Sequence, residues 1–210
     1  MKQENKDYAI ELINDEIKFG FYTKEDMLLT IGDMFLYDDD VEYDEKWLKN
    51  EIKIRLKKHK KESLTWKKPT DFDRLVKAFD QLSKQKIVSL HRAGYTKQDA
   101  YDECMHVIKK LKKKGIDAKG YCYYHTQDLE RAISDSKMLF IGFDSFNGDE
   151  KLATEIANTI VSVLKENNFE VKWNGSLETR IEIHNINWQK VVDNENYGYK
   201  RIKKLMKVKK

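Results

Sequence analysis

The sequence predicts an α/β fold (α+β is the looser description). A helical N-terminal part is followed by a mixed-sheet α/β sandwich that ends in a β-hairpin. Three observations predict it. Apolar residues recur at helical spacing up to the single proline, Pro69; short apolar runs then alternate with helical stretches; and Met138-Leu139-Phe140-Ile141 is apolar on both faces, as a strand covered on each side must be.

Before Pro69 the reading is three helices. Ala9, Ile10, Ile13 and Ile17 share one stripe that stops at Gly20. Thr23, with Asp26 three residues on, starts a second helix carrying Met27, Leu28, Ile31, Met34 and Phe35. Trp47, Leu48, Ile52 and Leu56 define a third, from about residue 42 to 63. The residue before proline is pushed out of helical geometry, so a boundary is expected at Pro69. The expected parts are a helical sub-domain over 1–66, an α/β core over 70–192 and a basic tail over 193–210.

After the boundary, Thr70 caps a helix whose buried face is Phe72, Leu75, Val76, Phe79 and Leu82. Ile87-Val88-Ser89-Leu90 reads as a strand, and Thr96 with Asp99 opens a helix that Gly115 ends. Tyr121 to Tyr124 is a strand, Thr126 starts a short helix, and the apolar strand around 140 follows. A long helix runs from Asp149 to Asn167. Phe169, Val171 and Trp173 alternate as a strand, Asn174-Gly175 supplies a turn, and Ile181 and Ile183 alternate back. Crossovers between parallel strands are expected to be right-handed.

Charged residues make up 36% of the 210, above the roughly 25% of an average domain, so the surface must be dense in charge. The net charge is only +4, but it is blocked: residues 1–45 carry 4 basic and 14 acidic side chains, residues 46–68 carry 10 and 2, and residues 200–210 carry 7 and none. No apolar run reaches the roughly 18 residues of a membrane span, and the N-terminus does not read as a signal peptide. A cytoplasmic protein without membrane contact is therefore expected. Cys104 and Cys122 lie in no metal or redox spacing, which suits reduced thiols.

The candidate ligand pocket is His125, Asp128, Asp144 and Asn147, drawn from two places where a strand hands over to a helix, the end of an α/β sheet at which ligands usually bind. Each has a plain structural explanation too: Asp128 sits where a helix dipole favours an acid, and Asp149 after Asn147 caps the long helix. The loop from Asp144 to Asp149 has neither a dinucleotide glycine pattern nor a phosphate-loop lysine. Asp38-Asp39-Asp40-Val41-Glu42-Tyr43-Asp44 is acidic enough to suggest calcium, but an EF-hand needs Gly where Tyr43 stands and Glu where Lys49 stands. The five histidines and two cysteines form no zinc pattern, so no metal and no cofactor are expected. Lys53, Arg55, Lys57, Lys58, Lys60 and Lys61, with Lys203 and Lys204 of the tail, are candidate nucleic-acid contacts. Ile202, Leu205, Met206 and Val208 interleave with the tail's lysines as in an amphipathic helix.

Three stretches carry a resemblance: Asp71-Phe72-Asp73-Arg74-Leu75; Gly120-Tyr121-Cys122-Tyr123-Tyr124-His125-Thr126-Gln127-Asp128-Leu129-Glu130-Arg131-Ala132; and Val171-Lys172-Trp173-Asn174-Gly175-Ser176 before Arg180-Ile181. Together they resemble a family of bacterial proteins recorded as a domain of unknown function, over about residues 8–192. The resemblance implies no activity, cofactor or catalytic residue. A Cys-rich stretch of the family falls here on His91-Arg92-Ala93-Gly94-Tyr95, so a metal role built on those cysteines does not transfer. No catalytic motif is present, although Glu103, Asp128, Asp144 and Glu178 could converge from distant segments. The leading expectation is a non-catalytic module that binds a protein partner, antidote-like by analogy, with opposed charge blocks suited to electrostatic recognition. The alternatives are a nucleic-acid binder using the basic helix and tail, and an enzyme with a pocket at the strand ends.

Overall fold

Periodicity alone sets the element types, and the computed structural model, which describes residues 1–36 and 43–207, follows it closely. Helices α1 (Gln3–Phe19), α2 (Lys24–Leu36) and α3 (Glu45–Ser63) precede α4 (Asp71–Lys84). Then come β1 (Ile87–Leu90), α5 (Lys97–Lys112), β2 (Gly120–Tyr123), α6 (Thr126–Ile133), β3 (Leu139–Ser145), α7 (Glu150–Glu166), β4 (Glu170–Lys172), β5 (Ile181–His184) and α8 (Tyr199–Lys207). The architecture is α/β with a mixed five-stranded sheet, ordered β1-β2-β3-β5-β4.

The chain falls into two compact units, Met1–Thr70 with Trp188–Asn194, and Asp71–Asn187 with the residues from Glu195 onward. In the first, Ala9, Ile13 and Ile17 of α1 pack with Met27, Ile31 and Phe35 of α2 and with Leu48 and Ile52 of α3. The Thr23 and Asp26 cap is formed as expected, each side chain accepting the other's backbone N–H. The third helix begins at Glu45 rather than 42, because the Asp44 carboxylate accepts the Trp47 N–H and ends the non-helical approach there. The acidic stretch Asp38 to Glu42 lies outside the described residues. Trp188–Asn194 belongs to this unit because the Trp188 indole donates to Phe19 O and His59 Nε2 lies 3.0 Å from Lys190 O.

In the second unit only β1 and β2 pair in parallel; β2 with β3, β3 with β5 and β5 with β4 are antiparallel. The connection through α6 is therefore not a parallel crossover. Its eight residues span about 12 Å, and the chain re-enters the sheet from the end it left. Reversing β3 has a consequence for the layers. With right-handed crossovers, the helix joining β1 to β2 and the helix joining β3 to β4 must lie on opposite faces. So α5 packs on Val88, Leu90, Tyr121 and Tyr123, while α7 reaches the other face, with Ile156 against Gly120.

The strand near 140 is central; Leu139 and Ile141 are buried on one face and Gly142 on the other, while Phe140 and Phe143, on opposite faces, are half-buried. Helix α5 packs on β1 and β2, and α6 on β3. Residues from Glu195 onward, expected as a basic tail, include α8, whose Ile202 and Met206 join the α5 cluster. Arg201 makes a two-toothed ion pair with Asp80, both contacts at 2.7 Å. Val208, Lys209 and Lys210 lie outside the described residues. β4 and β5 form the hairpin, but its connection runs from 173 to 180, with Asn174 and Gly175 making one turn within it; the Asn174 carboxamide oxygen accepts Ser176 N–H at 2.9 Å and the Thr179 hydroxyl at 2.6 Å.

Candidate recognition site

His125 lies two residues past β2 in extended backbone and is the residue before α6, with Asp128 three positions on. The Asp128 carboxylate accepts the His125 backbone N–H at 3.1 Å, half of a capping box that satisfies one orphan donor of the helix start. That much is local. Asp128 is wholly buried, however, and a buried carboxylate needs more than one N–H. Its second oxygen accepts Arg180 Nη1 at 2.8 Å, with Arg131 Nη1 at 3.7 Å.

Arg180 precedes β5 by one residue and reaches across β3 to this pair. Its guanidinium sits 4.7 Å over the Phe140 ring, which also carries Arg131 at 5.7 Å. Two like charges over one ring are tolerable because Asp128 lies between them. Arg180 Nη1 also lies 3.3 Å from His125 Nε2. A guanidinium only donates, so Nε2 is the acceptor and the proton of neutral His125 is on Nδ1. Nδ1 in turn is 3.2 Å from Asp128 Oδ2, off the line of a good hydrogen bond. Burial holds the His125 pKa below its ordinary value; Asp128 opposes that and Arg180 reinforces it. The ring is therefore neutral at pH 7, and both its nitrogens face protein groups.

Tyr123 sets the back of this arrangement. Its ring lies flat on Gly142, where a Cβ would come within 2.5 Å of it, and its centroid is 6.3 Å from that of His125. Burial raises the Tyr123 pKa to about 12, so it stays a neutral phenol. In front is a cleft of about 490 Å³. Phe140 is part of its floor, Lys97, Arg131 and Arg180 supply cations, and Glu178 and Glu182 supply carboxylates. Glu182 is held by His184 Nε2 at 2.8 Å. Lys97 and Glu178 are exposed and make no ion pair among the described residues.

Of the four expected pocket residues, His125 and Asp128 come together and Asp144 and Asn147 do not join them. Tyr123 pairs with Gly142 and Tyr121 with Asp144, so Asp144 lies at the far end of an antiparallel pair. Its carboxylate accepts Ser145 N–H at 2.6 Å, and Asn147 accepts Asp149 N–H at 3.3 Å in the loop beyond. Had β3 been parallel to β2, all four would share one end of the sheet. Glu178 lines the cleft; Glu103, on α5, does not. Arg180, Arg131 and Phe140 were not among the expected site residues. No group of three or more His, Cys, Asp or Glu side chains suited to a metal occurs among the described residues.

The basic candidates separate. Arg55 is paired with Glu51 at 3.1 Å and Lys58 with Glu62 at 3.9 Å, whereas Lys53, Lys57, Lys60 and Lys61 are exposed on α3. Lys203 lies 5.8 Å over the Tyr199 ring on α8, beside Lys204. No helix among the described residues is long and apolar enough to cross a membrane.

Residues 2–192 match a family described as Domain of unknown function (DUF6891). No curated protein and no solved structure matches the chain.

Proposed function

Because the chain belongs to DUF6891, a family whose description carries no chemistry, its role must be argued from its own site, and we propose a non-catalytic binding module that docks a charged segment of a protein partner in the cleft over Arg180. The observation that carries this reading is an arginine fixed from behind. Asp128 and His125 hold Nη1 and Phe140 supports the guanidinium plane, while its Nε and Nη2 make no hydrogen bond among the described residues. A guanidinium so held is ready to take a carboxylate with two parallel bonds, at little cost in side-chain entropy. Glu178 and Glu182 in the same cleft suit a neighbouring cation, so the favoured segment carries an acid beside a base. Binding is favoured over proton-transfer chemistry because His125 Nε2 is taken by Arg180 and Nδ1 is buried beside Asp128 rather than turned to the cleft. Work in the cytoplasm goes with this reading, since Cys104 and Cys122 are both free thiols.

Fluorescence anisotropy of the full chain with arrayed peptides tests it. Peptides pairing Glu with Lys should bind, and their Gln-for-Glu counterparts should bind at least about tenfold more weakly. Lys97→Glu should weaken the acidic contact and Glu178→Lys the basic one, with the fold unchanged because both side chains are exposed. Equal affinity for Glu and Gln peptides, or no response to either variant, would remove the proposal.

A further inference from the structure

We infer that the outer face of α3 is a second, independent binding surface, one for the phosphate backbone of double-stranded nucleic acid. The helix turns 100° per residue, which brings Lys46, Lys49, Lys53, Lys57, Lys60 and Lys61 into one sector of about 120°, opposite Leu48 and Ile52. All six are exposed, and Asn50 is the one other side chain in their midst. The row covers sixteen residues, a rise of about 22 Å along the helix. No carboxylate lies within it: Glu51 and Glu62 sit on the flank and pair with Arg55 and Lys58. Lys49 is 4.0 Å from Glu45, while the ammonium groups of the other five make no ion pair or hydrogen bond among the described residues. Favourable interaction with the helix dipole accounts for Lys60 and Lys61 in the last turn, but not for Lys46, Lys49 and Lys53 in the first half.

The row is positioned by a folded bundle rather than by a loose tail. Leu48 and Ile52 anchor α3 against α1 and α2, so the lysine spacing is set before any ligand arrives. A duplex carries about one phosphate per 1.7 Å of axis, so 22 Å presents about 13, of which one side can meet five or six lysines. Lys24 extends the surface at one end, sharing a concavity of about 540 Å³ with Lys46, Lys49 and Lys53; the Asp44 carboxylate at its edge is taken up in capping α3 through the Trp47 N–H. A membrane surface is the poorer match, since between Lys46 and Lys61 the sector itself holds no apolar side chain, and the exposed Ile54 at its edge and Leu64 beyond its end are single residues rather than an apolar face. Lys203 and Lys204 are not part of this face; they stand on α8, in the other unit.

Binding of the full chain to a labelled duplex of about 20 base pairs, DNA and RNA in parallel, tests the inference. With five phosphates engaged, affinity should fall about 500-fold between roughly 50 and 200 mM salt and depend little on base sequence. The variant Lys53→Glu, Lys57→Glu, Lys60→Glu should lose binding with an unchanged melting temperature, and the corresponding Arg triple variant should retain it. Lys203→Glu with Lys204→Glu should bind like the parent. Absence of duplex binding at about 50 mM salt, a flat salt response, or equal losses in the α3 and α8 variants would overturn it. So would binding to anionic vesicles in place of the duplex. Peptide binding at the Arg180 cleft is scored separately and does not enter this result.

Discussion

Replacing Asp128 by Asn keeps the shape of the side chain and removes its charge. Three groups then lose their partner: Arg180 at 2.8 Å, Arg131 at 3.7 Å and, in part, the His125 N–H at 3.1 Å. Removing one member of a buried ion pair costs about 3–5 kcal/mol. Arg180 is 29% exposed and Arg131 50%, so water recovers some of their solvation and about 2–3 kcal/mol is expected. For a chain of this size that is a drop of about 5–10 °C in melting temperature. The cycle is completed with Arg180→Gln and the double variant, each unfolded in urea and followed by circular dichroism. A coupling energy of about 2 kcal/mol is expected, the double variant losing less than the sum of the two single losses. A loss below about 0.5 kcal/mol for Asp128→Asn, or a coupling near zero, would refute the claim that Asp128 organises the site.

Other outcomes follow from the same packing. His125 has a folded-state pKa below its ordinary value of 6.5, so the unfolded chain takes up its proton first as pH falls. Its contribution is therefore complete above pH 6.5 and is lost on acidification, and His125→Gln should flatten the difference in urea midpoint between about pH 7.5 and 5.5. Gly142→Ala drives a methyl into the Tyr123 ring and should cost about 1–3 kcal/mol by thermal unfolding. Burial pushes the Cys122 thiol up to about 12 and raises Cys104 well above its usual range, so neither should react with a thiol reagent in the native state and both should react in denaturant. Arg201→Ala breaks the fork to Asp80 and should expose α8 to limited proteolysis before the rest of the second unit.

Helical and strand periodicity carried most of the element order, because amphipathic faces such as Leu48 with Ile52 and Leu152 with Ile156 are written locally. Strand direction is not. Nothing in Met138 to Phe143 distinguishes a parallel from an antiparallel neighbour, and that one reversal moved Asp144 and Asn147 away from His125. The apolar run around Phe140 implied cover on both faces, yet Phe140 is half-buried because two guanidinium groups rather than a helix lie over it. His125 and Asp128 were visible as a pair since a three-residue spacing at a helix start is itself a signal. Arg180 was not, being 52 residues further along in a connection without periodicity. The one hint was its position directly before the alternation of Ile181 and Ile183. The lysine face of α3 was partly visible as a basic run; that Arg55 and Lys58 fall outside it depends on the helix phase, fixed by the burial of Leu48 and Ile52.

The state of the His125 ring tests the account most directly. Long-range nitrogen–proton correlation at pH 7 should find a neutral imidazole protonated on Nδ1, its Nε2 shifted by the Arg180 guanidinium. A proton on Nε2, or an imidazolium, would mean that Arg180 is not held as described, and the recognition site built on it would fall.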